Sequence, residues 1–102
     1  MVLYDFLMEI VSKNKPRKEQ KNVSDFIREN GFNVGINHVV FRTTRRENSD
    51  FLEDDFTYYR NEIAHAEFQN DFAKYETLSS AVTNVLINKL LEVIHFGIQN
   101  LE

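Results

Sequence analysis

A chain of 102 residues in which 42% are hydrophobic, with nine Phe and four Tyr, has the length and composition of one ordered domain spanning residues 1–102. Its formal charge of −4 argues against strong non-specific binding to nucleic acid, because phosphate binding depends on Lys and Arg. The absence of cysteine excludes a disulfide framework, a thiol nucleophile and a cysteine-based metal site.

The first residues, MVLYDFLMEIV, lack the features of a secretory signal peptide. An acidic residue lies within the apolar run, and there is neither a basic lead nor a small-residue cleavage site. No apolar run approaches the roughly 18 residues that a membrane-spanning helix needs. We therefore expect a soluble, cytoplasmic protein that makes no membrane contact.

The charged residues are unevenly distributed. Basic residues are concentrated in 13–21 and 42–46, and acidic residues in 50–55. A basic cluster is usually a solvated loop, and we favour that interpretation over contact with a polyanion.

Apolar spacing and helix breakers predict the first two helices. Residues 2–13 have the i, i+3, i+4, i+7 spacing of an amphipathic helix, and Pro16 then interrupts the pattern. A second helix begins near residue 19, and Gly31 occupies the position where helices commonly end in a left-handed residue. The predicted core-facing residues are Leu3, Phe6, Leu7, Ile10, Val11, Val23, Phe26 and Ile27.

Residues 32–48 allow two interpretations. The alternation in 32–36 and the β-prone residues 39–41 are compatible with a short strand. Because no partner strand is evident elsewhere in the chain, we favour a connecting segment with one short helical turn. The polar run 42–48 predicts an exposed loop.

A third helix is predicted from a capping box formed by Asp50 and Glu53, with further acids at the positive end of the helix dipole. Apolar residues then recur at spacings of four, three and four, which is typical of a core-facing stripe. The stripe consists of Leu52, Phe56, Tyr59 and Ile63.

A last, long helix is predicted from about Asp71 to Gln99, with Asn70 as its cap. This helix is apolar around most of its circumference, so it must be buried on several sides. It is either a central core helix or one that also forms a homodimer interface, and the two interpretations are compatible. The fold class is therefore an all-α, up-and-down bundle of four to five helices. The helix's narrow polar strip comprises Asn84, Asn88, Glu92, His95 and Gln99.

Several kinds of site are excluded by the sequence. No glycine precedes a Lys-Ser/Thr pair, so there is no phosphate-binding loop. Ser79 and Ser80 lie within a predicted helix, which excludes a nucleophile elbow. The histidines lack metal-ligand spacing, so we expect no metal and no cofactor. They are His38, His65 and His95.

The segment 58–67 combines a fixed cation, an amide and an imidazole within one predicted helix. Asn61 and His65 are one turn apart and share a face that points away from the core. Arg60 lies about 140° from His65 around an ideal helix, so the two cannot easily meet at one phosphate. Either the helix is distorted there or a second subunit completes the site. For an isolated histidine in this position, a solvated side chain without function is the simpler interpretation.

The sequence Arg60-Asn61-Glu62-Ile63-Ala64-His65 resembles the Arg-x4–6-His motif of the HEPN superfamily. These are helical-bundle proteins that include many metal-independent ribonucleases of toxin–antitoxin, abortive-infection and CRISPR systems. The polar Asn61 after the arginine and the small Ala64 before the histidine are both frequent in that motif. Members that pair with a nucleotidyltransferase antitoxin often have Tyr two residues after the histidine, where this chain has Glu67.

The resemblance implies a homodimeric endoribonuclease with a composite site made from two copies of the motif. His65 would serve as general acid–base, Arg60 would bind phosphate oxygens, and Asn61 would orient His65 or donate to the phosphate. The product would carry a 2′,3′-cyclic phosphate. The implied partners are RNA, a second copy of the chain, and an antitoxin or defence-system protein.

Two other functions remain open at this point. The first is a catalytically inactive HEPN-like module that binds a protein or nucleotide, which the acidic pI of about 5.4 favours. The second is a helical dimerisation domain in which Arg60 pairs with a nearby acid such as Asp55 or Glu67.

Overall fold

The computed structural model describes residues 2–32, 41–43 and 52–100. Within these ranges the chain forms five α-helices, a π-helical segment between the last two, and two short strands. The elements are α1 (Val2–Ser12), α2 (Gln20–Glu29), β1 (Phe41–Thr43), β2 (Leu52–Asp54), α3 (Asp55–Phe68), α4 (Phe72–Ala81), the π-helical segment (Val82–Leu86) and α5 (Ile87–Asn100).

The helices form one bundle, which confirms the predicted all-α class. Helix α1 packs against α2, α3 and α5, and α3 packs against α4. Tyr4 is completely buried in the centre of this bundle, whereas Phe6 is 48% exposed, so the prediction of Phe6 as a core residue was wrong. Both lie on α1, and the inward face of this helix includes Tyr4 in place of Phe6. The other buried apolar residues are Leu7, Ile10, Val11, Val23, Phe26, Ile27, Phe56, Ile63, Ala66, Val82, Leu86, Leu90, Val93 and Ile94.

Helices α2 and α3 end in the same way, with a residue in the left-handed region. Gly31 has φ 78°, as predicted, and the amide of Phe32 returns to the carbonyl of Ile27 at 3.0 Å. After α3, Asn70 has φ 56° and the amide of Asp71 returns to the carbonyl of Ala66 at 2.9 Å. These are Schellman closures, in which the chain beyond the helix satisfies carbonyls that have no partner within the helix. Asn70 therefore terminates α3 and does not cap α4.

The predicted connecting segment contains a strand. Residues 41–43 pair in antiparallel register with 52–54, and the partner strand was hidden because we assigned 52–54 to the third helix. Arg42 and Thr43 thus belong to a strand and not to an exposed loop. The rest of that expected segment, 33–40 and 44–48, lies outside the described residues.

Helix α3 begins later than predicted. Its N-cap is Asp54, whose carboxylate accepts from the backbone N–H of Thr57 at 3.1 Å. Glu53 lies in β2, so the proposed capping box of Asp50 and Glu53 does not start the helix, and Asp50 lies outside the described residues. Four acids within six residues offered several candidate caps of similar quality.

The last helix is continuous from Phe72 to Asn100 but contains the π-helical turn. Its cap is Asp71, which accepts from the amide of Lys74 at 3.1 Å. Helix α5 buries four residues in the bundle, whereas α4 buries none. Several large apolar side chains along this helix remain exposed, as its predicted surplus of apolar surface implies: Phe72 77%, Tyr75 37%, Val85 63%, Leu91 45% and Ile98 39%.

This helix of 29 residues is also the one helix in the described part of the chain whose length and composition would allow it to cross a membrane. A third of its most apolar window (33%) is buried within the bundle. Core helices of soluble proteins satisfy the same criterion, so this observation is weak evidence for a membrane span.

Candidate functional site

His65 lies on the outer side of α3, near the C-terminal end of the helix. His65 is exposed, as the helical wheel predicts, and its ring forms no hydrogen bond with another side chain in residues 2–32, 41–43 and 52–100. An exposed imidazole can exchange protons with solvent or with a bound ligand.

Arg60 is on the same helix but faces α1. Its Nε lies 4.0 Å from Oδ1 of Asp5, and the two side chains are 35% and 52% exposed. An ion pair at this distance and exposure contributes little to stability. The guanidinium is therefore only weakly held and can turn to another anion at small cost. Arg60 thus pairs with Asp5 of α1, and not with Asp55 or Glu67 of its own helix, the partners that the sequence suggested.

Asn61 is partly buried and points toward α2 and β2. Its Oδ1 accepts from Nε2 of Gln20 at 2.8 Å, and its Nδ2 donates to Oε2 of Glu53 at 2.8 Å and to Oε1 of Gln20 at 3.2 Å. Both ends of the amide are thus occupied by neighbouring side chains. In this arrangement Asn61 holds α3 against α2 and β2, and contact with a phosphate would require it to give up these bonds.

The three residues are carried by one regular α-helix, so the helix does not bring them together. His65 follows Arg60 by five positions, which corresponds to about 140° around the axis and about 7.5 Å along it. The distortion that could have moved them to one side is absent, since α3 is α-helical over Asp55–Phe68. A site that uses both side chains therefore needs a second molecule or a ligand that wraps around the helix.

A buried polar network adjoins this helix and was not predicted. Asp54 Oδ1 accepts from the hydroxyls of Ser24 at 2.7 Å and Thr57 at 2.6 Å, and Thr57 Oγ1 lies 2.7 Å from the hydroxyl of Tyr4. All four side chains are completely buried. The network joins α1, α2 and the start of α3. The only sequence signal was the Asp-x-x-Thr spacing of an N-cap, because the contacts to Ser24 and Tyr4 join distant parts of the chain.

Burial controls the titration of this network. Desolvation raises the pKa of Asp54 above its usual range, and the hydrogen bonds from Thr57 and Ser24 oppose this effect only in part. Desolvation, followed by the proximity of Asp54, also raises the pKa of Tyr4, so that this phenol stays protonated. Because none of these groups is accessible to a ligand, the network affects the stability of the fold and not ligand binding.

The end of α3 borders a small cavity of about 240 Å³ lined by Ala66, Glu67, Asn70, Phe72 and Tyr75. Across the same helix pair, Lys74 Nζ of α4 lies 3.3 Å from Oε2 of Glu62. No three His, Asp or Glu side chains in residues 2–32, 41–43 and 52–100 are placed to share a metal ion.

Comparison of the chain with family models, curated proteins and solved structures finds no match. The resemblance to the HEPN motif therefore depends on residues 60–65 and on the helical context alone.

Proposed function

We propose that this chain is a metal-independent endoribonuclease that acts as a homodimer. The observation that carries the proposal is the pairing, on one helix, of an exposed imidazole at His65 with a weakly held guanidinium at Arg60. An imidazole titrates near neutral pH, and a guanidinium donates to phosphate oxygens through a fixed fork. These groups can supply the proton transfer and the charge stabilisation that RNA cleavage without a metal requires.

The reaction would use the 2′-hydroxyl of the RNA as nucleophile. His65 of one subunit accepts the 2′-hydroxyl proton as the oxygen bonds to the adjacent phosphorus, and an imidazolium from the second subunit protonates the departing 5′-oxygen. The bond between phosphorus and the 5′-oxygen breaks, which leaves a 2′,3′-cyclic phosphate. Arg60 stabilises the charge on the pentacovalent intermediate.

A dimer answers the geometric difficulty of a straight helix. Arg60 and His65 of one α3 face directions about 140° apart, so the second copy supplies whichever group the first cannot bring to the phosphate. We assign Asn61 a supporting role, in which its bonds to Gln20 and Glu53 fix the position of α3.

The biological setting follows from the resemblance to the superfamily. We propose a role as a toxin or in antiviral defence, in the cytoplasm, with an antitoxin or defence-system protein as partner. We also propose that the long helix does not enter a membrane, because its α5 half is packed into the bundle.

An RNA cleavage assay with matched variants tests the activity. We expect the wild-type chain to cleave single-stranded RNA in the presence of EDTA, and His65→Ala and Arg60→Ala to lose about a hundredfold or more of this activity. Glu67→Ala, which alters another exposed residue of the same helix, is the control and should retain activity. Mass spectrometry should detect the cyclic phosphate, and RNA with a 2′-deoxy substitution at the cleaved position should resist.

Cleavage by purified His65→Ala at the wild-type rate would disprove the proposal, as would cleavage of the 2′-deoxy substrate. Circular dichroism of each variant should match the wild type, because the side chains of both motif residues lie outside the core.

A non-catalytic binding or dimerisation module is the second candidate. The observation that favours it is the acidic surrounding of the motif, with Asp5 beside Arg60 and Glu53 bonded to Asn61. Carboxylates near the site repel a polyanion. This candidate predicts no RNA turnover under any condition, together with a stable protein complex that Arg60→Ala weakens.

A further inference from the structure

The connection between α1 and α2 is the most basic stretch of the sequence. Residues 13–21, which we call the basic turn, contain five cations and one carboxylate, a net charge of +4 in a chain whose total is −4. All of these charged residues are exposed. A local surface of this charge attracts a polyanion even when the chain as a whole is acidic. The cations are Lys13, Lys15, Arg17, Lys18 and Lys21.

The backbone of the basic turn is held in place by a buried amide. Asn22, which is 7% exposed, donates through Nδ2 to the hydroxyl of Ser12 at 2.9 Å and to the carbonyl of Arg17 at 2.7 Å. These bonds join the end of α1 to the middle of the turn, and Pro16 restricts the backbone between them. The sequence alone favoured a solvated loop for this cluster. The structure instead shows a braced turn, which presents its cations at lower entropic cost to a ligand.

Two ion pairs place the basic turn on the same surface as the arginine of the motif. Lys18 pairs with Glu9 of α1, and Arg60 lies 4.0 Å from Asp5, one helical turn earlier on the same face of α1. One turn is about 6 Å along the helix. Lys13 follows Glu9 by four residues, just beyond the end of α1. Arg60, Lys18 and Lys13 thus form one line of cations along this face, which we call the cation line.

The helix that carries the motif also contacts the basic turn directly. Gln20 donates to Asn61 at 2.8 Å. The second basic cluster of the sequence begins at Arg42, whose position in β1 is opposite Glu53, the carboxylate that accepts from Asn61. The basic turn and the position of Arg42 therefore both adjoin α3.

The carboxylates on this face hold the cations only weakly. The side chains of Lys18 and Glu9 are 50% and 61% exposed, and the pair of Arg60 and Asp5 is also exposed to solvent. Ion pairs of this exposure contribute at most about 1 kcal/mol. A phosphate can therefore replace either carboxylate as the partner of the cation at small cost.

We propose that the basic turn binds the phosphates of a single-stranded RNA whose cleaved phosphate lies at Arg60. A spacing of about 6 Å along the cation line is close to the separation of consecutive phosphates in an extended strand. The cation line is one side chain wide, so it follows one strand and not both strands of a duplex. This inference rests on the proposed function for the identity of the bound strand, and it adds that the substrate extends beyond the cleaved bond.

The composition of the basic turn favours RNA over a membrane surface. Apart from Pro16, residues 13–21 contain no apolar side chain. Stable binding to a membrane needs inserted apolar side chains as well as cations. Electrostatic binding to a single strand needs cations along its path.

Fluorescence anisotropy with single-stranded RNA carrying 2′-O-methyl groups measures binding without cleavage. We expect Lys18→Gln to raise the dissociation constant about threefold at low salt, and the double variant Lys13→Gln, Lys18→Gln about tenfold. The slope of log K against log salt should become shallower by about 0.7 for each cation removed. The matched control is Arg28→Gln, which removes a cation of 45% exposure from an ion pair with Asp25 at the other end of α2. It should leave the dissociation constant and the slope unchanged.

Removing a carboxylate from the same face should have the opposite effect. Glu9→Gln frees Lys18 and removes a negative charge from the path of the strand, so the dissociation constant should fall about threefold. Glu76→Gln removes an exposed carboxylate from α4 and should leave binding unchanged. Circular dichroism should be the same for all of these variants, because each substitution is on an exposed side chain.

Cleavage of unmodified RNA should depend on the length of the substrate. A dinucleotide has one internal phosphate, which Arg60 occupies, whereas a strand of about six nucleotides also reaches the basic turn. Lys18→Gln should therefore raise KM about threefold for the longer strand, leave kcat unchanged, and have no effect on the dinucleotide.

A wild-type chain that does not bind the RNA at low salt would overturn the inference, as would equal effects of Lys18→Gln and Arg28→Gln. Binding to vesicles of equal parts phosphatidylcholine and phosphatidylglycerol, without binding to RNA, would overturn it and assign the basic turn to a membrane. Binding that depends on Lys18 in a chain that does not cleave unmodified RNA would retain this surface and disprove the nuclease. Cleavage of the longer strand with unchanged KM in Lys18→Gln would retain the nuclease and disprove the role of the basic turn.

Discussion

Thr57 binds Asp54 twice, through its backbone amide at 3.1 Å and through its hydroxyl at 2.6 Å. The first bond caps α3, and the second orients the threonine hydroxyl so that it faces Tyr4 of α1 at 2.7 Å. One carboxylate therefore starts the helix that carries the proposed site and also joins it to the centre of the bundle. Several consequences for stability can be measured.

The stability contributed by Asp54 should decrease as pH rises. Its pKa is higher in the folded state than the ordinary value of about 3.9, so the folded chain binds the proton more tightly than the unfolded chain. The free energy of unfolding then falls as pH increases from about 4 through the raised pKa. Urea unfolding should show that the stability of the wild type relative to Asp54→Asn is greatest near pH 4 and smaller at pH 8. A difference that grows with pH would contradict this assignment.

Removing the phenolic hydroxyl should weaken the same network. Tyr4→Phe leaves Thr57 Oγ1 without its buried partner on α1, and we expect a loss of about 1 kcal/mol in the free energy of unfolding. Tyr75→Phe removes the same atom from a side chain that is 37% exposed and should change stability by less than about 0.5 kcal/mol. Equal effects in the two variants would show that the buried bond contributes nothing.

Asn61→Asp places a second carboxylate against Glu53. The amide nitrogen that now donates to Glu53 Oε2 at 2.8 Å becomes an oxygen, so a hydrogen bond is replaced by repulsion in a partly buried position. We expect a loss of about 2 kcal/mol at pH 7 that becomes smaller when the carboxylates are protonated. The control is Asn88→Asp on the exposed side of α5, and chemical denaturation at pH 4 and pH 7 measures both. A pH-independent loss would argue against the bridge to Glu53.

Gly97 allows α5 to approach α1 closely. A Cβ at this position would lie 3.1 Å from Cγ2 of Ile10, so the higher helix propensity of alanine, about 1 kcal/mol, is opposed by crowding. We expect Gly97→Ala to be neutral or mildly destabilising in the wild type. Leucine has no methyl group on its own Cβ, so an Ile10→Leu background removes the atom that a Cβ at position 97 would meet. In that background Gly97→Ala should stabilise the fold. Thermal unfolding of the wild type, the two single variants and the double variant gives the coupling free energy between positions 10 and 97. Additive effects would show that the two residues do not crowd each other.

Local signals in the sequence predicted most helix positions, and long-range contacts explain most of the errors. Gly31 ends α2 as expected, because a left-handed helix terminus depends on one residue. The start of α3 was wrong because Asp50 and Asp54 are equivalent caps by local chemistry, and only Ser24, 30 residues away, distinguishes the second. Tyr4 was overlooked in favour of Phe6 for the same reason, since its partner Thr57 is 53 residues away.

The candidate site was predictable in its composition but not in its contacts. The helical wheel placed His65 outward, which the structure confirms. It also placed Asn61 on the outward face beside His65, whereas Asn61 is held from both sides by Gln20 and Glu53. These partners come from α2 and β2, and no spacing within α3 could indicate them.

The π-helical turn at Val82–Leu86 holds one residue more than an α-helix would need over the same length. An extra residue rotates everything before it by about 100° relative to everything after it. Removing one residue there would rotate the exposed rings of Phe72 and Tyr75 by about 100° relative to the buried face of α5 without breaking the helix. The register between the exposed aromatic residues of α4 and the core residues of α5 thus depends on a single residue in this turn.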